Sequence, residues 1–426
     1  SLVGRNGAGK TTLMRSIMGH LTPARGTVRF EGGDLSSRPR HARAALGIGY
    51  MPEDRCLVPQ LTVEENIMLP LWVADMDFAA PEAVTRALRE RAAHPVYGYT
   101  FYPDSLFEAL RDWFRQRHLW AIERESILMT PGVVPSLHAA VQAFTRPGEG
   151  VIVQPPVYYP FFSAVTSSGR ELVLSPLRED DGRYAMDFAH LEQCAAAGAR
   201  LLLLCSPHNP VGRVWSRDEL EELLRIARHH KLVILSDEIH ADLVYPGHRH
   251  IPLATLAGGG DAVITAVAPS KTFNIPGLGL SSLIAPDPAH RAALKHVFDR
   301  LALGHSNPFS IAAFEAAYRE GAPWLDQLLA YLRDTREFVA DFLATRLPAI
   351  RLVVPEGTYL LWLDCRDLGM NDDALREFFV TRARPGLNPG ISYGAAGSGF
   401  MRLNIGSPRR VIAEALTRIA GALARR

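Results

Sequence analysis

Cysteine is scarce in this chain: four among 426 residues, at Cys56, Cys194, Cys205 and Cys365, with no CxxC pair. That excludes a close-spaced disulfide framework or thiolate metal site and suits a reducing compartment, so a cytoplasmic protein without a metal is expected. Net charge is missing too. Lys and Arg total 46 against 45 Asp and Glu, leaving +1, so no overall field draws the chain to nucleic acid or an anionic membrane. No apolar run approaches the roughly 18 to 20 residues of a membrane-inserted helix, and there is no internal repeat. What is there, 47% apolar and 21% charged residues, is the balance of a globular protein with large cores. Its expected partners are small molecules or other subunits.

The first segment with recognisable chemistry is "SLVGRNGAGKTTLMRSI". Gly4, Gly7, Gly9, Lys10 and Thr11 satisfy GxxxxGK[ST] between a strand remnant and a helix. The glycines let backbone N–H groups curl round phosphates, Lys10 reaches the terminal phosphates and Thr11 can ligate Mg²⁺, which makes ATP with Mg²⁺ a candidate ligand. "SLVG" reads as the tail of a strand, so this segment is expected to be a fragment.

The text that follows, "GTVRFEGGDL" and "GIGYMPEDRCLVPQLTVEENIML", resembles the ATPase subunit of ABC transporters of the branched-chain amino-acid uptake type, over about residues 1–69. Glu53 stands where many relatives carry glutamine. The resemblance implies an LSGGQ-like signature further on, and no such segment occurs, so ATP hydrolysis is not expected. "KLVILSDEIH" could pass for the ATPase's metal-binding strand, but its neighbours read otherwise.

From Leu69 the character changes within three residues, with no Gly/Ser linker or charge run, which reads as a fusion join. Beyond it, apolar runs ("GVIVQPP", "RLLLLCSP", "LVILSDE", "AVITAVAPS") alternate with helical patterns such as "SRDELEELLRIARHH". This is the signature of a mainly parallel sheet covered by helices. In such sheets chemistry collects at the carboxyl ends of strands. Asn209 follows one run, Asp237 and His240 another, and Lys271 with Ser270 a third. A lysine in such a place is a candidate Schiff-base lysine, and the aspartate a partner for a pyridinium nitrogen. Each has a plainer reading alone: Asp237 as a helix cap, Asn209 as a turn residue, Lys271 as a surface cation.

Together, in this order, they resemble the fold-type I pyridoxal-phosphate enzymes of the aminotransferase class I/II superfamily over residues 70–426. Within it the match is to the MalY/PatB-like cystathionine β-lyases and cysteine-S-conjugate lyases, on "LWVADMDF", "VYGYT", "PGVVPSL", "PPVYYPFF", "SPHNPVGRVW", "SDEIHADL", "SKTFNIPGL", "GTYLLWLD" and "GFMRLNIGSPR". The resemblance implies that Lys271 holds pyridoxal 5'-phosphate and moves the substrate's α-proton. Asp237 would keep the ring nitrogen protonated, Asn209 bond the ring oxygen, and Tyr158 stack on its face. Val133 and Val134 would offer N–H groups to the phosphate, Ser270 a hydroxyl, and His240 would stand beside the ring. Tyr99 corresponds to a tyrosine reaching the neighbouring subunit's phosphate, which implies a homodimer. Arg402 would clamp the carboxylate of an amino-acid substrate; its plainer reading is a surface salt bridge. Ala268 stands where many aminotransferases carry a phosphate-binding serine.

Aminotransferases usually place tyrosine three residues after the pyridinium aspartate; here that position is His240, in the "DEIH" of the lyases. The reading is therefore α,β-elimination on L-cystathionine or a related cysteine S-conjugate, with transamination the alternative and an ATP-binding module a second one. The expected fold is α/β: a mainly parallel large domain at 95–325 and a smaller α+β domain from 70–94 and 326–426. A truncated P-loop NTPase fragment at 1–69 precedes them. The C-terminal amphipathic segment "RRVIAEALTRIAGALARR" is expected to pack on the small domain.

Overall fold

The computed structural model describes residues 27–30, 33–35 and 69–425. The chain divides into two compact units, Ser1–Ile67 and Met68–Arg426. In the first, the described residues form an antiparallel pair, Arg29–Phe30 with Gly33–Asp34. The glycines and lysine of the P-loop motif lie outside the described residues.

The second unit is built on a seven-stranded sheet: β1 (Ile127–Thr130), β2 (Gly150–Val153), β3 (Glu171–Leu174), β4 (Leu201–Cys205), β5 (Val233–Asp237), β6 (Ala262–Val267) and β7 (Ser281–Ile284). The spatial order is β1-β7-β6-β5-β4-β2-β3, and only β7 runs against its neighbours. All four apolar runs singled out above are strands here. They read as unbroken apolar text because both faces of a parallel sheet are covered.

The two-residue period of a strand sorts that text into two cores. Ile152, Leu202, Leu204, Ile234 and Val263 join one cluster, with α3 (Phe188–Ala196) and α4 (Arg217–His230) supplying the facing residues. Val151, Val153, Leu201, Leu203, Leu235 and Ile264 join the other, against α2 (Val133–Phe144) and α5 (Pro288–Arg300). Helix α1 (Asp104–His118) packs its buried Leu106, Leu110, Trp113 and Phe114 into a third cluster.

A four-stranded antiparallel sheet, β8 (Arg351–Val353), β9 (Leu360–Asp364), β10 (Asn388–Pro389) and β11 (Phe400–Asn404), is ordered β8-β9-β11-β10. The C-terminal segment forms α6 (Arg409–Leu423), whose Ile412, Leu416 and Ile419 are buried in the same cluster as Leu361 and Leu403 of this sheet. Among the described residues no helix is long and apolar enough to cross a membrane.

The topology brings three candidate residues together. Strands β4, β5 and β6 are adjacent and parallel, Asp237 ends β5, Asn209 follows β4 and Lys271 follows β6. Their carboxyl ends therefore open on one crevice.

Helix α4 has a reciprocal start: Ser216 Oγ accepts from Glu219 N at 3.2 Å and Glu219 Oε2 accepts from Ser216 N at 2.8 Å. Replacing Ser216 by Ala should lower stability by about 1 kcal/mol, read as a lower urea midpoint at unchanged slope.

Candidate active site

At the carboxyl ends of β4, β5 and β6 lies a cavity of about 210 Å³. Val133, Val134, Tyr158, Asn209, Asp237, His240, Ser270 and Lys271 all line it, together with Ala74, Cys205, Ile239 and Ala268. The polar groups there are left short of partners. Helix α2 starts at Val133 with no side-chain cap, and Pro135 in its first turn has no N–H, so Val133 and Val134 carry the free donors that favour an anion. Asp237 is buried and, among the described residues, accepts only from Ile239 N, at 3.1 Å. Burial pushes its carboxyl up to about 7, the mark of a carboxylate lacking a cation. His240 is buried with no partner on Nδ1, and burial, with Lys271 and Arg402 nearby, drops it to about 3, so its ring is neutral. Asp237 caps no helix: its side chain closes a local turn at a strand end.

Lys271 is not a surface cation. It sits in the helical turn Pro269–Thr272, and burial, helped by Arg402, lowers its amine to about 8 against the opposing pull of Asp75 and Asp237. Its Nζ donates to the Ala74 carbonyl, which also accepts from Tyr359 Oη at 2.8 Å.

Arg402, on β11, does not line the cavity but stands behind Asn209, and it is not a surface salt bridge. It is only 2% exposed. Nη1 donates to Asn209 Oδ1 at 3.1 Å and Nη2 to the Trp72 carbonyl at 2.6 Å, while Nε is buried without a partner. A guanidinium only donates, so it fixes the Asn209 amide with its oxygen towards Arg402 and leaves Nδ2 for another acceptor. A buried cation with spare donors is costly unless an anion comes to it.

Tyr99 lies apart, 96% exposed, beside His305 at a ring distance of 6.4 Å.

Missing from the sequence reading is a strap, residues 72–78, gripped through its main chain. Asn388 Nδ2 and Arg402 hold the Trp72 carbonyl, and Asn404 Nδ2 the Val73 and Asp75 carbonyls. Asn274 takes Met76 N at 2.9 Å and donates to the Met76 and Phe78 carbonyls at 2.7 and 2.8 Å. The only local signal was an asparagine within each of the "TFNIPG", "GLNPG" and "RLNIG" texts.

Comparison with known proteins bears on this site. The family model described as aminotransferase class I and II matches residues 66–419, and one described as ABC transporter matches residues 1–124. Cystathionine beta-lyase PatB of Bacillus subtilis (strain 168) is 45% identical over 357 residues, 83% of this chain and 92% of that protein. Cystalysin from Treponema denticola, whose crystal structure contains pyridoxal 5'-phosphate, superposes with a TM-score of 0.83 at 36% identity, covering 94% of this chain and 98% of that one. The PLP-bound C-S lyase of Staphylococcus hominis gives a TM-score of 0.80 at 32% identity, covering 87% and 97%.

Below about pH 8 Lys271 is an ammonium with no lone pair. The rate at which an aldehyde reagent labels it in the cofactor-free chain should rise about tenfold per pH unit up to that point and level off above it. Mass-spectrometric counting of borohydride-fixed label checks this, with Lys271→Ala as the blank.

Proposed function

This chain belongs to the aminotransferase class I and II family, and we propose that it works there as a pyridoxal-phosphate-dependent carbon–sulfur β-lyase of the MalY/PatB type. Its substrate is L-cystathionine or a related cysteine S-conjugate, cleaved by α,β-elimination. The observation that carries this reading is the crevice in which a lysine of lowered basicity, a buried carboxylate short of a cation and an uncapped helix N-terminus line one cavity.

The residues present fit the cofactor. Lys271 is the covalent anchor, Asp237 the partner of the ring nitrogen, Asn209 Nδ2 the donor to the ring oxygen, and Tyr158 the stacking ring. Val133 and Val134 N–H, with the Ser270 hydroxyl, hold the phosphate. Ala268 has no hydroxyl to offer, so the backbone donors carry more of that grip. Bound there, the cofactor supplies a sink for the electron pair left when the α-proton departs.

The chain's own groups do the rest. Arg402 draws the substrate carboxylate with its unused donors, in the forked geometry only a guanidinium has. Lys271 Nζ, whose basicity burial lowers, takes the α-proton as the free amine. The Cβ–S bond then breaks with its electrons on sulfur, the thiolate leaves, and the released aminoacrylate takes up water to give pyruvate and ammonia. His240, in a "DEIH" text that resembles the lyases, stands where aminotransferases usually place a tyrosine, which supports elimination over transamination.

A second copy is part of this reading. Val96, Tyr97, Tyr99, Phe101 and Leu301 are each more than half exposed, an apolar display unusual for a free surface. In a homodimer that patch would be covered and Tyr99 would reach the partner's phosphate site. The large domain is proposed at 95–325 and the smaller at 70–94 with 326–426, each around its own sheet. Free, buried Cys194, Cys205 and Cys365 accord with a cytoplasmic setting.

Purified protein given L-cystathionine should release thiol and pyruvate with no keto acid added; an absolute requirement for a keto-acid acceptor would make it an aminotransferase instead. Asp237→Asn should cost about 10- to 100-fold in kcat, the worth of a charged hydrogen bond. Tyr99→Ala should weaken cofactor retention by about tenfold in equilibrium dialysis.

A further inference from the structure

A buried polar cluster outside the cavity lining is left unused by the lyase reading. The Asp242 carboxylate is buried and receives three donors: Thr272 Oγ1 at 2.9 Å, Trp113 Nε1 at 3.1 Å and His118 Nε2 at 2.7 Å. An ionised carboxylate only accepts, so the Thr272 hydroxyl must point its hydrogen at Asp242 and His118 must carry a proton on Nε2. Burial alone would raise this acid, yet the bonds from His118, Thr272 and Trp113 hold it below the usual carboxylate value.

What the three donors tie together is specific. Trp113 and His118 lie on α1, while Thr272 is the residue after Lys271 in a helical turn of four residues. That turn has little of its own to hold it. Its main-chain bonds include Phe273 N to the Pro269 carbonyl at 2.9 Å and Ile275 N to the Ser270 carbonyl at 3.0 Å. Phe273 meets the Trp113 ring edge-on at 5.4 Å, so α1 braces both residues that follow the lysine.

A parallel arrangement stands next to Asp237. Buried Glu238 accepts from Ser236 Oγ at 2.8 Å, Leu253 N at 3.0 Å and His250 Nε2 at 2.8 Å, and the His250 ring meets that of His118 at 5.6 Å.

We propose that Asp242 is a positioning residue for Lys271, acting through the Thr272 hydroxyl to set where the amine stands against the substrate's α-carbon. The inference rests on the lyase reading. Proton removal from carbon is steeply sensitive to placement, and a misplacement of about 1 Å can cost on the order of a hundredfold. Substrate binding depends on Arg402, which sits on the other sheet, so turnover and affinity should separate.

The test compares Thr272→Val, which keeps the shape and removes the donor, with Thr272→Ser, which restores it. With cystathionine, T272V should lose at least about tenfold in kcat while KM stays within about twofold, and T272S should recover to within about threefold of the parent. In the cofactor-free protein, the rate of capturing pyridoxal phosphate in a borohydride-reducible bond should fall in T272V, with its melting temperature within about 4 °C of the parent. Thr272→Ala, which removes the hydroxyl without setting a methyl against the Asp242 carboxylate, should show the same split and carries the test if T272V does not fold.

Parent-like kcat and capture rate in T272V or T272A would overturn the proposal, as would a T272S variant no better than T272V. A parent protein that forms no reducible bond at all would overturn the lyase reading itself, a result recognisable before any variant is made.

Discussion

Lys271 and Arg402 each donate to a main-chain carbonyl of the strap, Ala74 and Trp72. A carbonyl satisfies a donor without cancelling its charge, so Arg402 keeps the charge that the proposed reading gives to a substrate carboxylate. The rest of the unit can be understood from that choice. A strap without helix or strand has carbonyls and N–H groups that must go somewhere, and asparagines on β10, β11 and the loop after Lys271 receive them. Asn274 does so from a left-handed backbone conformation, φ 54°, which asparagine tolerates better than most residues. The antiparallel sheet therefore serves the site by holding the strap, and through it the two cations.

Much of this was legible in the text and some was not, for one physical reason. A parallel strand covered on both faces must be apolar along its length, so β2, β4, β5 and β6 announce themselves locally. The residues just past their ends are equally visible, which is why Asn209, Asp237 and Lys271 could be picked before their strands were known to be adjacent. The strap was invisible because its partners are far off in sequence: Asn274 lies 198 residues from Met76, and Arg402 lies 330 from Trp72. The tie between Thr272 and Asp242 was hidden likewise, since both residues look ordinary in their own stretches.

The text "KLVILSDEIH" shows how far a strand-end acid can mislead. An acid at the tip of a parallel strand can face a metal ion or a protonated ring with equal ease, because both lie in the crevice such sheets open. The neighbours decide. Here the adjacent strand ends supply an amine and an amide, and burial pushes the Asp237 carboxyl up to about 7, which suits the ring nitrogen of the proposed cofactor better than a metal ion.

The main chain of the strap carries most of its hydrogen bonds, while Met76, Asp77 and Phe78 add side-chain contacts, Asp77 Oδ2 accepting from Ser407 Oγ at 2.8 Å. Val73, 44% exposed, can be exchanged without disturbing a single one of the bonds that hold the segment in place. A lineage can therefore vary this exposed position, next to cavity-lining Ala74, while the segment that holds Lys271 and Arg402 stays put.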